Sequence, residues 1–318
     1  MNKKELSVSL VMYCNCVEEL TIAIKSSLIS NLVGMIYLID NSPTNKLKIL
    51  KELAPKRIVY LFQNSNLGFG RAHNIGIKLS EEKGFKYHLI LNPDIEFNGN
   101  VLEELHKYME SNKKCGMVMP KVLYKNGDLQ YLCKKIPTAF EMFGKRLPFR
   151  RLQKKINKNL ELHQFDYNKI LNVPYLSGCF MFCRVTCFKK AGLFDDRYFM
   201  YMEDLDLSRS FHRHFETIFF PEVKIFHGFR SESRVNKKLL KALIISAIKY
   251  FNKYGWVFDI ERNKMNKNLL IFTSKKNALL LSAFASPAMP AACLARPQVP
   301  GRRRRAPGRL HYADHPVH

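Results

Sequence analysis

Two acid-bearing stretches, more than a hundred residues apart, have the side chains for joint chemistry. Leu91-Asn92-Pro93-Asp94 closes an apolar run, and Met202-Glu203-Asp204-Leu205-Asp206 opens a helical pattern. An Asp emerging at a strand end suits a hard divalent cation bridging two phosphates, which takes one or two protein carboxylates and fills its shell with phosphate oxygens and water. A carboxylate presented at a helix start suits a general base beside an acceptor hydroxyl. Each stretch also has a plainer reading. Asn-Pro-Asp is a turn sequence that ends strands, and acids in a first helical turn complement the helix dipole. His227, between Ile225-Phe226 and Gly228, reads by itself as a satisfied polar residue, and only a metal shared with Asp94 gives it chemistry.

A third stretch, Asn64-Ser65-Asn66-Leu67-Gly68-Phe69-Gly70, leads into Arg71 and a helical pattern. Its glycines permit close backbone approach to a ligand, and Arg71 adds charge near phosphates. The alternative is ordinary loop-to-helix punctuation. It is not a dinucleotide fingerprint: Gly68-x-Gly70 lacks a third glycine at the required spacing, and Gly76 comes too late. That disfavours a nicotinamide-dependent oxidoreductase.

The elements that position these residues follow from periodicity. Apolar runs predict strands over Val8–Tyr13, Met35–Asp40, Ile58–Phe62, Tyr87–Leu91 and Gly116–Val122, alternating with helices over Glu18–Leu32, Arg71–Lys83 and Val101–Ser111. Such alternation implies an α/β fold with a parallel, doubly wound sheet whose ligands bind at the carboxyl ends of the strands. Asp40-Asn41, Asn64–Gly70 and Asn92–Asp94 all fall at such ends. Beyond residue 123 the alternation weakens. A strand is expected over Tyr175–Val185, running through Ser177-Gly178, with others over Ile218–Phe220 and Lys224–Phe229, and a long basic helix over Asn236–Lys253. The apolar face of Leu239–Phe251 suits either packing on the sheet or a membrane interface. Residues 1–265 therefore read as one domain that includes the basic helix 236–253. The composition changes near residue 277, and the Ala/Pro/Arg-rich segment 277–318 reads as a disordered or non-native tail, with a native basic tail as the alternative.

At 318 residues, 47% hydrophobic and 12% aromatic, the chain has the composition of a globular protein and not of a disordered one. Its formal charge is +25, and six Arg and one Asp after residue 276 supply only +5 of that. A basic body attracts nucleic acid, anionic lipid or phosphorylated substrates without choosing among them. Lys134–Lys158 concentrates nine Lys or Arg around Phe140, Phe143, Leu147 and Phe149, the best candidate contact with an anionic membrane surface. No apolar run reaches the roughly 18 residues that a membrane span needs. Eight Cys occur without a Cys-x-x-Cys pair or a recognisable secretory signal, so reduced thiols and a cytosolic location are expected. Cys179, Cys183 and Cys187 recur every fourth residue with no His or carboxylate between them, which points to packing and not to zinc.

The order and spacing of these motifs resemble the inverting glycosyltransferases of family 2, and within them the bacterial rhamnosyltransferase-like branch. The resemblance runs from residue 7 to about 255. It rests on Val-Met-Tyr13 with Glu18-Glu19-Leu20, Leu38-Ile-Asp40-Asn41-Ser42, Asn66-Leu-Gly68-Phe-Gly70-Arg-Ala-His-Asn74-Ile-Gly76, Leu91-Asn-Pro-Asp94, Ser177-Gly178, Gly192-Leu-Phe-Asp195, Tyr201-Met-Glu203-Asp204-Leu-Asp206 and His227. It implies a GT-A fold (a mainly parallel central sheet flanked by helices), Mg²⁺ or Mn²⁺, and a dTDP- or UDP-sugar donor. By similarity Tyr13, Asp40 and Asn41 lie near the base and ribose, and Asn66, Gly68, Arg71 and Asn74 complete the nucleotide site. Asn92, Ser177 and Gly178 line the donor and acceptor positions. Asp94 holds the metal with His227, Asp204 is the catalytic base, and Glu203 shapes the acceptor site. The expected reaction moves a sugar, rhamnose among the candidates, to a growing lipid-linked surface polysaccharide at the inner face of the cytoplasmic membrane. Where the family has Asp-x-Asp this chain has Asn92-Pro93-Asp94, lacking the first carboxylate. That leaves a catalytically inactive scaffold of the same fold as one alternative, and a basic protein binding nucleic acid or anionic lipid as another. Because the phosphate-proximal loops belong to a sheet mouth, no nucleic-acid partner is expected.

Overall fold

The structure, a computed structural model, describes residues 5–144, 147–228 and 237–269, all within one compact unit. The expected tail over 277–318, and Lys145 and Arg146 of the basic segment, lie outside the described residues. The first half alternates as periodicity predicts: β1 (Leu6–Met12), α1 (Val17–Leu28), β2 (Val33–Asp40), β3 (Ile58–Phe62), α2 (Phe69–Glu82), β4 (Tyr87–Leu91), β5 (Ile95–Glu96), α3 (Val101–Ser111) and β6 (Cys115–Leu123). The second half holds β7 (Cys133–Lys134), α4 (Ala139–Gly144), α5 (Arg150–Leu160), β8 (Leu171–Asn172), β9 (Tyr175–Leu176), β10 (Phe180–Arg184), α6 (Phe188–Ala191), α7 (Glu203–His214), β11 (Glu216–His227) and α8 (Lys237–Tyr254). Residues 260–269 are helical too.

The main sheet runs β3-β2-β1-β4-β10-β6-β11-β5, with β8 added beside β11. Strands β1 to β4 are mutually parallel, and β6 pairs parallel with β11. Three members are reversed: β10 runs antiparallel to both β4 and β6, and the short β5 and β8 each run antiparallel to β11. This is the GT-A architecture, a mostly parallel sheet flanked by helices. Because β10 is reversed, its first residues sit where β4 ends, with Phe180 opposite Leu91. The mouth of the sheet therefore collects the carboxyl ends of β1, β2, β4 and β11 together with the amino end of β10.

Three expectations for the second half are corrected. The single strand over 175–185 is two, broken at Ser177–Cys179 where the chain passes the α7 carboxylates. The strands at 218–220 and 224–229 are one, β11, with a register shift between Phe220 and Lys224 that accommodates Pro221. The basic segment forms α4 and α5, where no element was expected.

Leu6, Val8, Leu10 and Met12 of β1 are fully buried and join Leu20, Ala23 and Ile24 of α1 in the main core. The other face of β1 carries Ser7 and Ser9, buried beneath α2 in a polar chain. Ser9 Oγ lies 2.7 Å from His73 Nδ1 and 2.8 Å from His88 Nε2, while Ser7 Oγ lies 2.8 Å from His88 Nδ1 and 2.7 Å from Ser80 Oγ. Buried networks of this kind fix one register between strand and helix, although His73 Nε2 is left without a partner here. Cys179, Cys183 and Cys187 are buried free thiols in the main core, in keeping with a packing role. A second core joins Tyr198, Met202 and Leu205 to Ala247, Tyr250, Phe251 and Met265. Beside it, the fully buried Arg209 of α7 pairs with Asp259 at 2.6 and 2.7 Å and accompanies Tyr250 and Glu261. Thus α8 packs on the body, and the membrane alternative does not apply to the face formed by Ser246, Ala247, Tyr250 and Phe251.

Burial holds His73 well below its ordinary pKa, aided by the neighbouring His88, and burial pushes His88 down to about 3. The unfolded chain therefore binds protons that the native state excludes, so their stabilisation is complete above the unfolded value near 6.5 and is lost as pH falls toward 3. Urea unfolding from pH 7 to pH 4 is expected to give a stability that declines by up to about 1.4 kcal/mol per pH unit for each histidine. A His88→Gln variant should lose about one histidine's share of that slope, read as the difference between the two curves.

Candidate active site

At the end of β2 the Asp40 carboxylate is fully buried and both its oxygens are held, Oδ1 by the Ser42 amide at 2.9 Å and Oδ2 by the Tyr60 hydroxyl at 2.6 Å. Ser42 Oγ in turn accepts from the Cys14 amide at 2.9 Å, which fixes the end of β1 beside it and leaves Tyr13 half exposed. Asn41 Nδ2 donates to Gly68 O at 3.1 Å, while the buried Asn41 Oδ1 has no protein partner. A buried acceptor without a donor at a sheet mouth fits a ligand hydroxyl or N–H.

The loop leading into α2 is docked, not free. Asn66 Oδ1 accepts from the Gly68 amide at 3.0 Å, and the Phe69 amide donates to Phe199 O at 3.1 Å. Gly68 has φ +82°, and a Cβ there would lie 2.1 Å from Phe199 O, so only glycine fits. This contact joins the loop to the turn before α7. Arg71 stands exposed in the first turn of α2. Asn74 is turned elsewhere: Nδ2 donates to Phe194 O at 2.8 Å and to Asp196 Oδ1 at 3.0 Å, and Oδ1 accepts from the Phe194 amide at 3.0 Å. Its amide fastens α2 to the segment that precedes the acidic helix.

That helix begins under strain. Tyr201 and Met202 have φ values of +68° and +70°, a left-handed pair without glycine immediately before Glu203 and Asp204. Such conformations persist where the surroundings over-determine them, commonly at functional sites. Asp204 accepts from the Gly178 amide at 3.1 Å and from the Tyr175 hydroxyl at 3.2 and 3.3 Å. A Cβ on Gly178 would approach Asp204 Cβ to 2.9 Å, so the strand can pass this close only as glycine. Glu203 is buried, and its Oε2 has no partner. Burial first, and then the charge of Asp204, push the Glu203 carboxyl up to about 8. Its uncharged form is thereby favoured, which spares the helix start two adjacent charges.

The other carboxylate sits across the same strip. The Asn92 amide donates to Cys179 O at 2.9 Å, one residue beyond the glycine that touches Asp204. Burial drives the Cys179 thiol up to about 12, and the charges of Asp94 and Asp204 both add to the rise, although a hydrogen bond with Ser177 opposes it. Both acids thus act on one thiol, and Ser177, two residues before it, is half-buried. Asp94 Oδ1 is 3.3 Å from His227 Nε2. On the far side of the ring, His227 Nδ1 is 3.0 Å from Gln130 Oε1, while Gln130 Nε2 donates to His227 O at 3.0 Å. The Gln130 amide thus fixes the ring in place, with Nε2 aimed at the carboxylate, a contact that a proton or a shared cation can bridge. The separation is near the ~3 Å between neighbouring ligands of an octahedral ion at about 2.1 Å, so the donor set fits a divalent cation. Gln130, Tyr175 and Tyr60 were not anticipated from the sequence, and no local pattern marks them.

Among the described residues, the one group of three His, Cys, Asp or Glu side chains with ligand atoms close enough to share an ion is Glu5, His106 and Glu110. It lies at the opposite edge of the sheet, before β1 and β4. Although burial opposes it, contacts with Lys86, Tyr87 and Lys113 push Glu110 down to about 2. Lysines already neutralise this cluster, so it is an ion-pair network.

Residues 10–190 match the sequence model described as Glycosyl transferase family 2. The chain is 25% identical over 175 residues to the low-salt glycan biosynthesis hexosyltransferase Agl10 of Haloferax volcanii, covering 55% of this chain and 52% of that protein. It is 30% identical over 150 residues to the rhamnosyltransferase WbbL of Escherichia coli K12, covering 44% and 52%. The chain thus spans about half the length of these relatives. Among solved structures it resembles GalNAc-T7 with UDP, GalNAc and Mn²⁺, at TM-score 0.55 and 15% identity over 79% of this chain and 50% of that one. It also resembles Staphylococcus aureus TarS 1–349, at TM-score 0.51 and 12% identity over 84% and 70%. At these identities the structural likeness speaks for the fold, and the sequence match carries the assignment: the chain belongs to glycosyl transferase family 2.

Proposed function

We propose that this protein transfers a sugar from a nucleoside diphosphate donor to an acceptor hydroxyl by single displacement with inversion. The observation that carries the reading is that one short strip approaches both acidic stretches: the Gly178 amide donates to Asp204, and Cys179 O accepts from the Asn92 amide, two residues before Asp94. Tyr13, Asp40, Asn41, Asn66, Gly68 and Arg71 form the nucleotide side, with Asn74 fastening the adjoining segment. Asp204, steered by the Gly178 amide and the Tyr175 hydroxyl, takes the acceptor's proton. The acceptor oxygen then bonds to the anomeric carbon as the carbon–oxygen bond to diphosphate breaks and its electron pair leaves with the nucleotide. Neutral Glu203 keeps a second charge away from the base and shapes the acceptor side together with Asn92 and Ser177. A divalent cation held by Asp94 and His227 would neutralise charge on the departing diphosphate. The imidazole in the set favours Mn²⁺ over Mg²⁺, whose shell is built from oxygen.

The rhamnosyltransferase and hexosyltransferase relatives support a hexose or 6-deoxyhexose donor, with dTDP-rhamnose and UDP-sugars the first to test. No helix among the described residues is long and apolar enough to cross a membrane. With the basic body, this supports a cytoplasmic protein peripheral on the inner membrane face, acting on a lipid-linked saccharide.

Nucleoside diphosphate release, screened over dTDP- and UDP-sugars with and without Mn²⁺, is expected to single out one donor, and NMR of the product to show the opposite anomeric configuration. Retained configuration would reject single displacement. Asp204→Asn is expected to lower kcat roughly a hundredfold to ten-thousandfold with nucleotide affinity unchanged, whereas Glu203→Gln, which copies the neutral acid, should stay within a few-fold of wild type. Gln130→Leu releases the His227 ring and should weaken Mn²⁺ binding by about tenfold to a hundredfold in an EPR titration; unchanged affinity would remove His227 from the metal set.

A further inference from the structure

After α8 the chain turns at Gly255, φ +102°, and presents Trp256, Val257, Phe258 and Ile260 with exposures of 43, 70, 88 and 85%. Asp259, in the middle of this run, is only 6% exposed. Its carboxylate is the bidentate partner of buried Arg209, and Oδ1 also accepts from the Arg262 amide at 2.9 Å. Arg262 Nη2 donates to Val257 O at 3.2 Å, and Trp256 Nε1 donates to Asn252 Oδ1 at 2.8 Å. A turn pinned by so many polar contacts holds its large apolar side chains outward in a fixed arrangement. Contiguous exposed apolar surface of this kind marks an interaction site.

The neighbouring elements give the partner's chemistry. Phe143 of α4 stacks on Trp256 with an interplanar angle of 8°, and Asn266 pairs with both backbone groups of Ile136 just before α4. Phe140 of the same helix and Phe149 at the start of α5 are 65 and 63% exposed. Next comes α5, with Arg150, Arg151, Lys154, Lys155 and Lys158 and no acid. Arg150, Arg151, Gln153, Lys154 and Asn157 share one open face of α5, where the cations can meet phosphate headgroups. Aromatic and aliphatic side chains beside unopposed cations match the boundary of an anionic bilayer. A second copy is a poor partner, because a two-fold contact would set like charges against each other.

We infer that the 256–260 turn, with α4 and α5, docks this protein on an anionic lipid surface, the apolar side chains entering the headgroup–acyl boundary while α5 meets lipid phosphates. This deepens the peripheral placement proposed above and rests on it only for its purpose; lipid binding itself needs no donor. The second core joins this face to Met202 and Leu205, which flank Glu203 and Asp204, so docking also orients the acidic helix relative to the bilayer.

Trp256 is the only tryptophan of the chain and reports directly. Its emission is expected to shift to the blue with vesicles of phosphatidylcholine plus phosphatidylglycerol, to be quenched by brominated acyl chains, and to respond far less to phosphatidylcholine alone. Vesicle flotation should fall at least about tenfold for a Val257→Ser/Phe258→Ser/Ile260→Ser triple variant, because exposed apolar side chains supply the anchoring. Arg150→Glu/Arg151→Glu/Lys154→Glu should abolish the preference for anionic lipid. All substituted side chains are surface ones, so unchanged thermal unfolding and nucleotide binding serve as fold controls. Absence of both blue shift and flotation would overturn the inference, as would a lipid-independent dimer that buries Trp256. A protein that floats but processes no nucleotide sugar would sink the transferase reading and leave this one standing.

Discussion

The arrangement of this protein depends on the reversal of one strand. Parallel strands end together at one edge of a sheet, so β1, β2 and β4 deliver only their carboxyl ends to the mouth. Strand β10 enters between β4 and β6 in the opposite sense and delivers its amino end to the same place. The residues that lead into it then serve both sides of the mouth through the backbone alone: the Gly178 amide reaches Asp204, and Cys179 O receives the Asn92 amide. Neither contact needs a particular side chain on this segment except the absence of one at Gly178. The carboxylate after β4 and the carboxylate of α7 are thereby spaced by a strip of main chain.

Charge at the mouth is managed against a strongly basic background. The chain carries +25 overall, and several of the acids at the mouth are engaged internally. Asp40 is spent on internal hydrogen bonds, Glu203 is pushed toward its uncharged form by burial and by its neighbour, and Asp94 faces an imidazole. Asp204, the base proposed above, is held by the Gly178 amide, the Tyr175 hydroxyl and the Leu205 amide. The same economy governs the packing beneath, where His73 and His88 are kept uncharged by burial. Arg209 is the exception, a buried cation matched by Asp259 and Glu261, and it binds the acidic helix to the chain that follows α8.

Much of this was legible in the sequence because it is local. Apolar runs ending in Asp40-Asn41 and Asn92-Pro93-Asp94 are strands with polar termini, and the acids after Met202 open a helix as their spacing demands. What was not legible depends on distant partners. A strand's direction is set by what it pairs with, so nothing in Phe180–Arg184 announces the reversal of β10. Gln130 acquires its importance from His227, 97 positions away, and Tyr175 from Asp204, 29 positions away. Helix α5 buries only Ile156 and Leu160, too few apolar positions to stand out within a cationic stretch. Asn74 sits inside a recognisable motif, yet its amide serves the 194–196 segment, a contact across 120 positions.

The measurement that bears most directly on the convergence of Asp94, His227 and Asp204 is a crystal structure with Mn²⁺ and a nucleoside diphosphate, located by the anomalous signal of the manganese. The account predicts the ion bonded to Asp94 and His227, the diphosphate lying between it and the Gly68–Arg71 turn, and Asp204 facing the open volume across the Ser177–Cys179 strip. Manganese and nucleotide bound at another face, or Asp94 and Asp204 opening onto separate surfaces, would contradict it.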